Sequence, residues 1–261
     1  MKVITSKDNK EIKLAYKLRN KKTRQQENAF FIEGKKIVEE ALKETKLTKK
    51  VFLMDDLVDE FRDYILENPQ IDWYNIDTNL LNHICTTETP QGIAAIVQKP
   101  ECSLIDVIEA NNIFLLLDQI ADPGNLGSII RTAWAMKVDG VLLTPGNVDP
   151  FSPKVVRSTM GGIFKIPVFT NIGIQHLRLL KDKGYTIACT DLRTENDFYN
   201  VDFNQSMVVV MGSEASGVSR EVKDECQLYF KIPIDEQVDS LNVAIACGII
   251  ISETFRQRRN S

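Results

Sequence analysis

The chain has 261 residues, 43% hydrophobic and 26% charged, the balance of a folded globular protein rather than a disordered or fibrous one. Its 32 basic against 36 acidic side chains give a net charge of -4, which argues against nucleic-acid binding driven by overall charge. The longest apolar run, residues 243–251, is about half of the ~18 residues that suggest a membrane span.

The charge is unevenly spread. Residues 1–50 carry 15 basic and 7 acidic side chains, residues 51–110 carry 2 and 12, and the remainder 15 and 17. An acidic chain can therefore present a cationic N-terminal surface. The first residues lack an apolar core and small-residue cleavage site, so no secretory signal is expected. Lys7, Lys10, Lys13, Lys17, Arg19, Lys21, Lys22 and Arg24 accompany a helical pattern whose apolar side is Ile12, Leu14, Tyr16 and Leu18, with a polar turn at 20–28. This suits contact with phosphates, although on charge alone a solvated helix face is the simpler reading.

Residues 30–34 read as a strand and turn, 35–43 as a helix with Ile37, Val38, Ala41 and Leu42 at helical spacing, 51–54 and 71–76 as strands, and 57–66 as the helix between them. Another strand at 93–97 is followed by a polar, Pro-containing linker at 99–103. A first domain is expected over 1–98, a linker over 99–110 and a second domain over 111–261. In the second, short apolar runs at 113–117, 140–143, 166–169, 186–189, 207–211 and 228–232 alternate with helical or turn segments. That order predicts an α/β fold with a parallel sheet covered on both faces. Cys85, Cys102, Cys189, Cys226 and Cys247 are odd in number and scattered, which supports neither a disulfide framework nor a zinc site and fits a reduced, cytoplasmic compartment.

Three segments put glycine and small polar residues after a buried strand, where open α/β sheets bind ligands. The first begins at Asp118, turns at Pro123-Gly124, and carries Asn125 as a possible helix cap with Arg131 six residues on. The second, residues 211–219, has Gly212 and Gly217 at the spacing of a phosphate loop, but Val218-Ser219 stands where such a loop needs Lys-Ser or Lys-Thr. The third, residues 232–246, leads through an acidic loop to the longest helix, expected over 241–258 with Ser240 as N-cap and Asn242 at its start. Each alone is explained by a turn or a capped core helix.

In this order, Asn125-Leu-Gly-Ser-Ile-Ile-Arg131, Val210-Met-Gly-Ser-Glu-Ala-Ser-Gly217 and Ile232-Pro-Ile through Ser240-Leu-Asn-Val-Ala244 resemble the three signature motifs of the SpoU (TrmH) family of RNA ribose 2′-O-methyltransferases, within the SPOUT superfamily. Thr144-Pro-Gly146 and the segment 149–161 strengthen the likeness, and Phe31-Ile-Glu-Gly34 with Thr89-Pro-Gln-Gly92 resembles the small α/β substrate-binding domain of many members. The resemblance implies a C-terminal domain with a deep trefoil knot and a homodimer that builds its site across the subunit interface. It also implies S-adenosylmethionine held around Thr144, Pro145, Gly146, Met211, Gly212, Gly217, Ile232, Leu241, Asn242 and Ala244. Asn125, Arg131, Glu214, Ser240 and Asn242 match the family's polar active-site positions, with Arg131 its candidate catalytic residue. The family commonly has Ser where this chain has Thr159.

Methyl transfer to a ribose hydroxyl demands alignment, removal of a weakly acidic proton and exclusion of water. His83 and His176 lie outside all three motifs, which makes a histidine base a poor reading, and Glu214 lacks the companion carboxylates of a metal site. Because arginine is ordinarily protonated, Arg131 is expected to position RNA rather than to act as a simple base. Ribosomal (23S) RNA is the preferred substrate by analogy of the two-domain layout, with tRNA, or a catalytically silent RNA-binding or ribosome-assembly factor, as the alternatives. Resistance-type methylation of an antibiotic-binding rRNA site uses the same architecture.

Overall fold

A computed structural model describes residues 1–44, 46–213 and 216–259. It divides into two compact units: residues 1–101 together with 149–164, and residues 102–148 together with the chain from 165 onward.

The first unit begins with β1 (Lys2–Ile4), a strand too short and polar to be legible, then α1 (Lys10–Lys17) and α2 (Lys21–Gln26), capped by Asn9 and Asn20. The expected apolar face of α1 is corrected: Ile12, Ala15 and Leu18 are buried at helical spacing, while Tyr16 is exposed. The polar turn expected at 20–28 is mostly α2. Next come β2 (Ala29–Glu33), α3 (Lys35–Glu44), β3 (Thr48–Leu53), α4 (Arg62–Glu67), β4 (Asp72–Ile76), α5 (Thr78–Ile84) and β5 (Ile93–Gln98). The helix expected over 57–66 is a single 3-10 turn at Asp55–Leu57 followed by α4, with Leu57 and Phe61 anchored in the core between them. The sheet order is β1-β4-β3-β5-β2; β1, β4 and β3 run parallel, and β5 is antiparallel to both β3 and β2.

The remaining elements are β6 (Ile113–Asp118), α6 (Pro123–Ala135), β7 (Gly140–Leu143), α7 (Pro153–Ser158), β8 (Val168–Phe169), α8 (Ile174–Asp182), β9 (Thr186–Thr190), β10 (Met207–Gly212), α9 (Arg220–Lys223), β11 (Leu228–Phe230) and α10 (Val243–Arg259). Apart from α7, they build the second unit around a six-stranded sheet of order β11-β9-β10-β6-β7-β8, parallel at every pairing. The continuous apolar runs meant what their composition suggested: β6 and β7 are buried along their whole length. The strand read over 228–232 stops at Phe230, before Pro233, which has no N–H to donate to a ladder.

Residues 149–164, placed in the second domain by sequence order, pack with the first unit. Buried Arg24 and largely covered Asp149 form an ion pair at 2.6 Å, and Arg157 reaches Glu33 at 2.5 Å. Phe30 stacks near Phe151 and Phe164, with centroids at 5.1 and 6.1 Å. These contacts join residues more than a hundred positions apart, beyond the reach of any local pattern.

Candidate active site

The chain lays β6, β7 and β8 to one side and then crosses to place β9, β10 and β11 on the other, so its direction reverses between β6 and β10. Crevices at such reversals, beyond the carboxyl ends of the strands, are where open α/β sheets hold ligands. Here a cavity of about 460 Å³ opens past the ends of β9, β10 and β11 and reaches the start of α10. Met211, Val218, Ile232 and Leu241 give it apolar walls; Asp191 and Ser240 give it polar ones. That size and mixture suit a nucleoside-sized ligand.

The turn after β10 is closed by backbone. Ser213 and Gly217 exchange both main-chain hydrogen bonds, at 3.2 and 2.9 Å. A Cβ on Gly212 would lie 2.1 Å from the Gly217 carbonyl carbon, and Gly217 has φ +65°, so the loop can approach this closely only with glycine at Gly212 and favours it at Gly217. What resembles a phosphate loop in sequence is a tight backbone crossing on the cavity wall.

Asp118, at the end of β6, ties two of the motif loops together. It is 2% exposed. Its Oδ1 accepts from the Thr144 hydroxyl at 2.6 Å and its Oδ2 from the Ser219 backbone N–H at 2.7 Å. Asn147 completes the arrangement by donating to the carbonyls of Leu117 and Thr144 and accepting from the N–H of Ile120. Both residues went unnoticed in the sequence, though Asp118 opens the first motif segment. A carboxylate following a continuous apolar strand was the available signal. Asp191 lines the cavity and is bound by Arg193 at 2.9 Å and Lys223 at 3.1 Å. The Arg193 hydrogen bond, reinforced by Lys223, holds its carboxyl well below the usual range despite partial burial.

The sequence-selected polar residues are placed as follows. Asp122, rather than Asn125, caps α6, accepting from the Asn125 N–H at 2.8 Å. Asn125 instead accepts from the side chain of Asn242 at 3.1 Å. Asn242 also caps α10 by accepting from the N–H groups of Ala244 and Ile245 at 3.0 and 3.3 Å; the helix therefore starts at Val243, with Ser240 in the coil before it. The structure brings Asn125 and Asn242 together. It does not bring Arg131 to them, because six residues along α6 turn its exposed side chain about 120° from Asn125. Glu214 lies outside the described residues.

Of the residues selected for the cofactor, Met211, Gly212, Gly217, Ile232 and Leu241 line the cavity. Thr144, Pro145 and Gly146 form the turn after β7 that Asp118 and Asn147 brace, and Asn242 and Ala244 stand at the start of α10. Thr159 is fully buried, and its hydroxyl donates to the Val156 carbonyl at 2.8 Å. His83 stacks on Tyr16, and His176 accepts through Nδ1 from the Gly173 N–H at the start of α8. Among the described residues no group of three His, Cys, Asp or Glu side chains could hold a metal ion.

A parallel sheet with a nucleoside-sized cavity at its carboxyl edge, walled by a glycine crossing and the capped start of a helix, defines an α/β protein with a ligand-binding crevice. Residues 112–252 match the SpoU rRNA methylase family and residues 9–95 an MRM3-like substrate-binding domain, so the chain belongs to the SpoU rRNA methylase family. It is 35% identical over 251 residues to the 23S rRNA (guanosine(2553)-2′-O)-methyltransferase RlmP of Bacillus subtilis, covering 96% of this chain and 98% of that one. It is 31% identical over 240 residues to YacO, a TrmH family tRNA/rRNA methyltransferase of the same organism, covering 87% and 96%. An AdoMet-bound rRNA methyltransferase from Sinorhizobium meliloti superposes with a TM-score of 0.89 at 30% identity, covering 98% and 97% of the two chains.

Proposed function

We propose that this chain transfers a methyl group from S-adenosylmethionine to a ribose 2′-hydroxyl of 23S ribosomal RNA. The observation that carries the reading is the cavity at the carboxyl ends of β9, β10 and β11, whose walls include the second and third motif segments together with the loop after β9. Its apolar walls would hold the adenosyl portion, and the close Gly212–Gly217 backbone crossing, which a Cβ on Gly212 would break, would form part of the wall beside it. S-adenosylmethionine, when bound, supplies an electrophilic methyl on a sulfonium. The protein's part is to align the acceptor hydroxyl, exclude water and accommodate its proton.

In this reading residues 1–98 recognise RNA, 99–110 link, and 111–261 carry catalysis. Asn125, Arg131, Glu214, Ser240 and Asn242 form the polar site. The Asn125–Asn242 hydrogen bond couples the first and third motif segments at the start of α10. Arg131, exposed and turned away from that pair, positions the RNA phosphate and hydroxyl through its planar fork. Such a division suits a site completed by a second copy, so the working form is a homodimer joined through the catalytic domain, with a trefoil knot near the cofactor and a cytoplasmic location. Among the described residues no helix is long and apolar enough to cross a membrane.

Tritiated-methyl transfer to total RNA from a strain lacking this protein, followed by mapping of the modified nucleotide, tests the reading. Incorporation at a 23S rRNA ribose is expected. No transfer to rRNA, tRNA or precursor particles by protein that is well folded and binds S-adenosylmethionine in calorimetry overturns it.

A further inference from the structure

The cleft between α1 and α2 is lined by Lys10, Lys13, Tyr16, Lys17, Arg19 and Lys22, with Glu27 its only carboxylate among the described residues. Lys10, Lys13 and Lys17 follow i, i+3, i+7 spacing and share one helical face over about 10 Å. Lys10 lies 3.8 Å from Glu11 and Lys13 is paired with Asp8 at 2.7 Å, whereas no carboxylate partner is found for Lys17 or Lys22 among the described residues. The cleft encloses about 830 Å³, space for more than one nucleotide.

Charge alone would fit many polyanions. The planar groups narrow the choice. Tyr16 is 43% exposed, an unusual position for a large ring, yet it is held in place: His83 lies parallel to it, with centroids 4.6 Å apart and planes within 6°. The Arg19 guanidinium carbon lies 4.6 Å from the same ring. Arg19 is itself fixed, donating to the carbonyls of His83 at 2.8 Å and of Cys85, while its Nε is buried with no acceptor. Burial, together with Lys7 and Arg19 nearby, lowers the His83 pKa, so at neutral pH the ring behind Tyr16 is uncharged and stacks without repelling Arg19.

We propose that this cleft is a binding surface for unpaired RNA, in which a base adds to the cleft end of the prearranged Arg19–Tyr16–His83 stack, against the Arg19 guanidinium that Tyr16 and His83 back, and Lys10, Lys17 and Lys22 take the flanking phosphates. The proposal rests on the RNA-methylase reading for its partner class and adds the mode, single-stranded rather than duplex. Flat aromatic and guanidinium surfaces engage bases that have left a helix, while a duplex presents mainly phosphates and ribose edges. A stack already ordered in the free protein also lowers the entropy cost of capture.

Fluorescence anisotropy with the full chain and a labelled oligouridine of about 12 nucleotides tests this, since aromatic-lined single-strand sites span roughly 4 to 16 nucleotides. Tyr16→Ala is expected to weaken binding about tenfold with an unchanged salt slope, the effect of collapsing a platform that holds one stacked base. Tyr16→Phe should bind as wild type. The double variant Lys17→Gln/Lys22→Gln should flatten the salt slope by about 1.4, two single-strand phosphate contacts. An RNA duplex of equal length should bind more weakly than the single strand. Wild-type affinity in folded Tyr16→Ala, duplex binding as tight as single-strand binding, or an unchanged slope in the lysine double variant each overturns the proposal. Tyr16-dependent oligouridine binding by a chain that transfers no methyl would remove the methylase reading and leave the cleft. Methyl transfer with Tyr16-independent binding would do the reverse.

Discussion

The two units are fastened by different means. In the first, charged side chains far apart in sequence pair with at least one partner largely out of water: Arg24 with Asp149, Arg157 with Glu33, and Lys50 with Glu11. The second also pairs Glu225 with Arg178 and Lys181, and Asp191 with Lys223, but its motif loops are held by parallel strands, a glycine crossing and Asp118, whose carboxylate binds a hydroxyl and a backbone N–H. A buried ion pair stabilises little in total, since desolvation offsets attraction, but losing one partner leaves a stranded charge. A glycine crossing fails sterically. The first unit should therefore be most sensitive to charge deletion and the second to added volume.

The largest effect is expected at Arg24. Arg24→Ala strands Asp149 and removes donors from the carbonyls of Leu18 and Arg19, which should cost the first unit about 3–5 kcal/mol. Denaturant unfolding followed by fluorescence of Trp73, buried in that unit, measures it. Arg24→Met/Asp149→Leu, which removes both charges, should recover the part of the loss due to the stranded carboxylate, while the Leu18 and Arg19 carbonyls still lack their donor. If the double variant is as unstable as the single, the ion pair is not what distinguishes this unit.

Next is Gly212→Ala. A methyl 2.1 Å from the Gly217 backbone must push the loop off the cavity wall, so affinity for S-adenosylmethionine should fall at least about 100-fold, roughly 2.7 kcal/mol. The Trp73 transition should stay in place. Calorimetry giving affinity within about threefold of wild type would remove the steric basis of the contrast.

This difference also governs what could be read from the sequence. The second unit's strands were legible because each is a continuous apolar run, and its cavity because glycine and small polar residues follow those runs. Even there, cap details failed: Asn242 caps α10 where Ser240 was expected, and Asp122 caps α6 in place of Asn125. Either assignment satisfies the residue preferences, and only the paths of the loops decide between them. In the first unit β1 and α5 carried too little pattern to be seen. The placement of residues 149–164 depends on Arg24, Glu33 and Phe30, whose partners no local window contains. The N-terminal charge excess is legible in the sequence, but the exposure of Tyr16 depends on which side of α1 packs.

A smaller effect is expected at Asp118, a positioning residue. Asp118→Asn keeps the shape but loses the charge: its oxygen can still accept from the Ser219 N–H, while its amide N–H faces the Thr144 hydroxyl, which must turn to accept where it donated, so two charge-assisted bonds become weaker neutral ones. The Michaelis constant for S-adenosylmethionine should rise about tenfold, near 1.4 kcal/mol, with a smaller change in turnover number. A fall in turnover alone would assign Asp118 to chemistry rather than to bracing the loops.

The smallest effect tests the first unit's charges by pH. Glu33 is nearly buried, which on its own would raise its pKa; hydrogen bonds from the Thr86 hydroxyl and backbone N–H, then from Cys85, with the charge of Arg157, hold it below the ordinary 4.5. A carboxyl with a lowered folded-state pKa stabilises fully above its unfolded value and loses that contribution as pH falls through the folded one. Glu33→Gln, similar in shape but uncharged, should be less stable than wild type by about 1 kcal/mol at neutral pH in urea titrations read at Trp73. The gap should hold down to about pH 4.5 and close below it, because protonated Glu33 then resembles the amide. A gap that persists undiminished to about pH 3, or that is absent at neutral pH, would mean that Thr86 and Arg157 do not discriminate the ionised form, and would weaken the claim that charge fastens this unit.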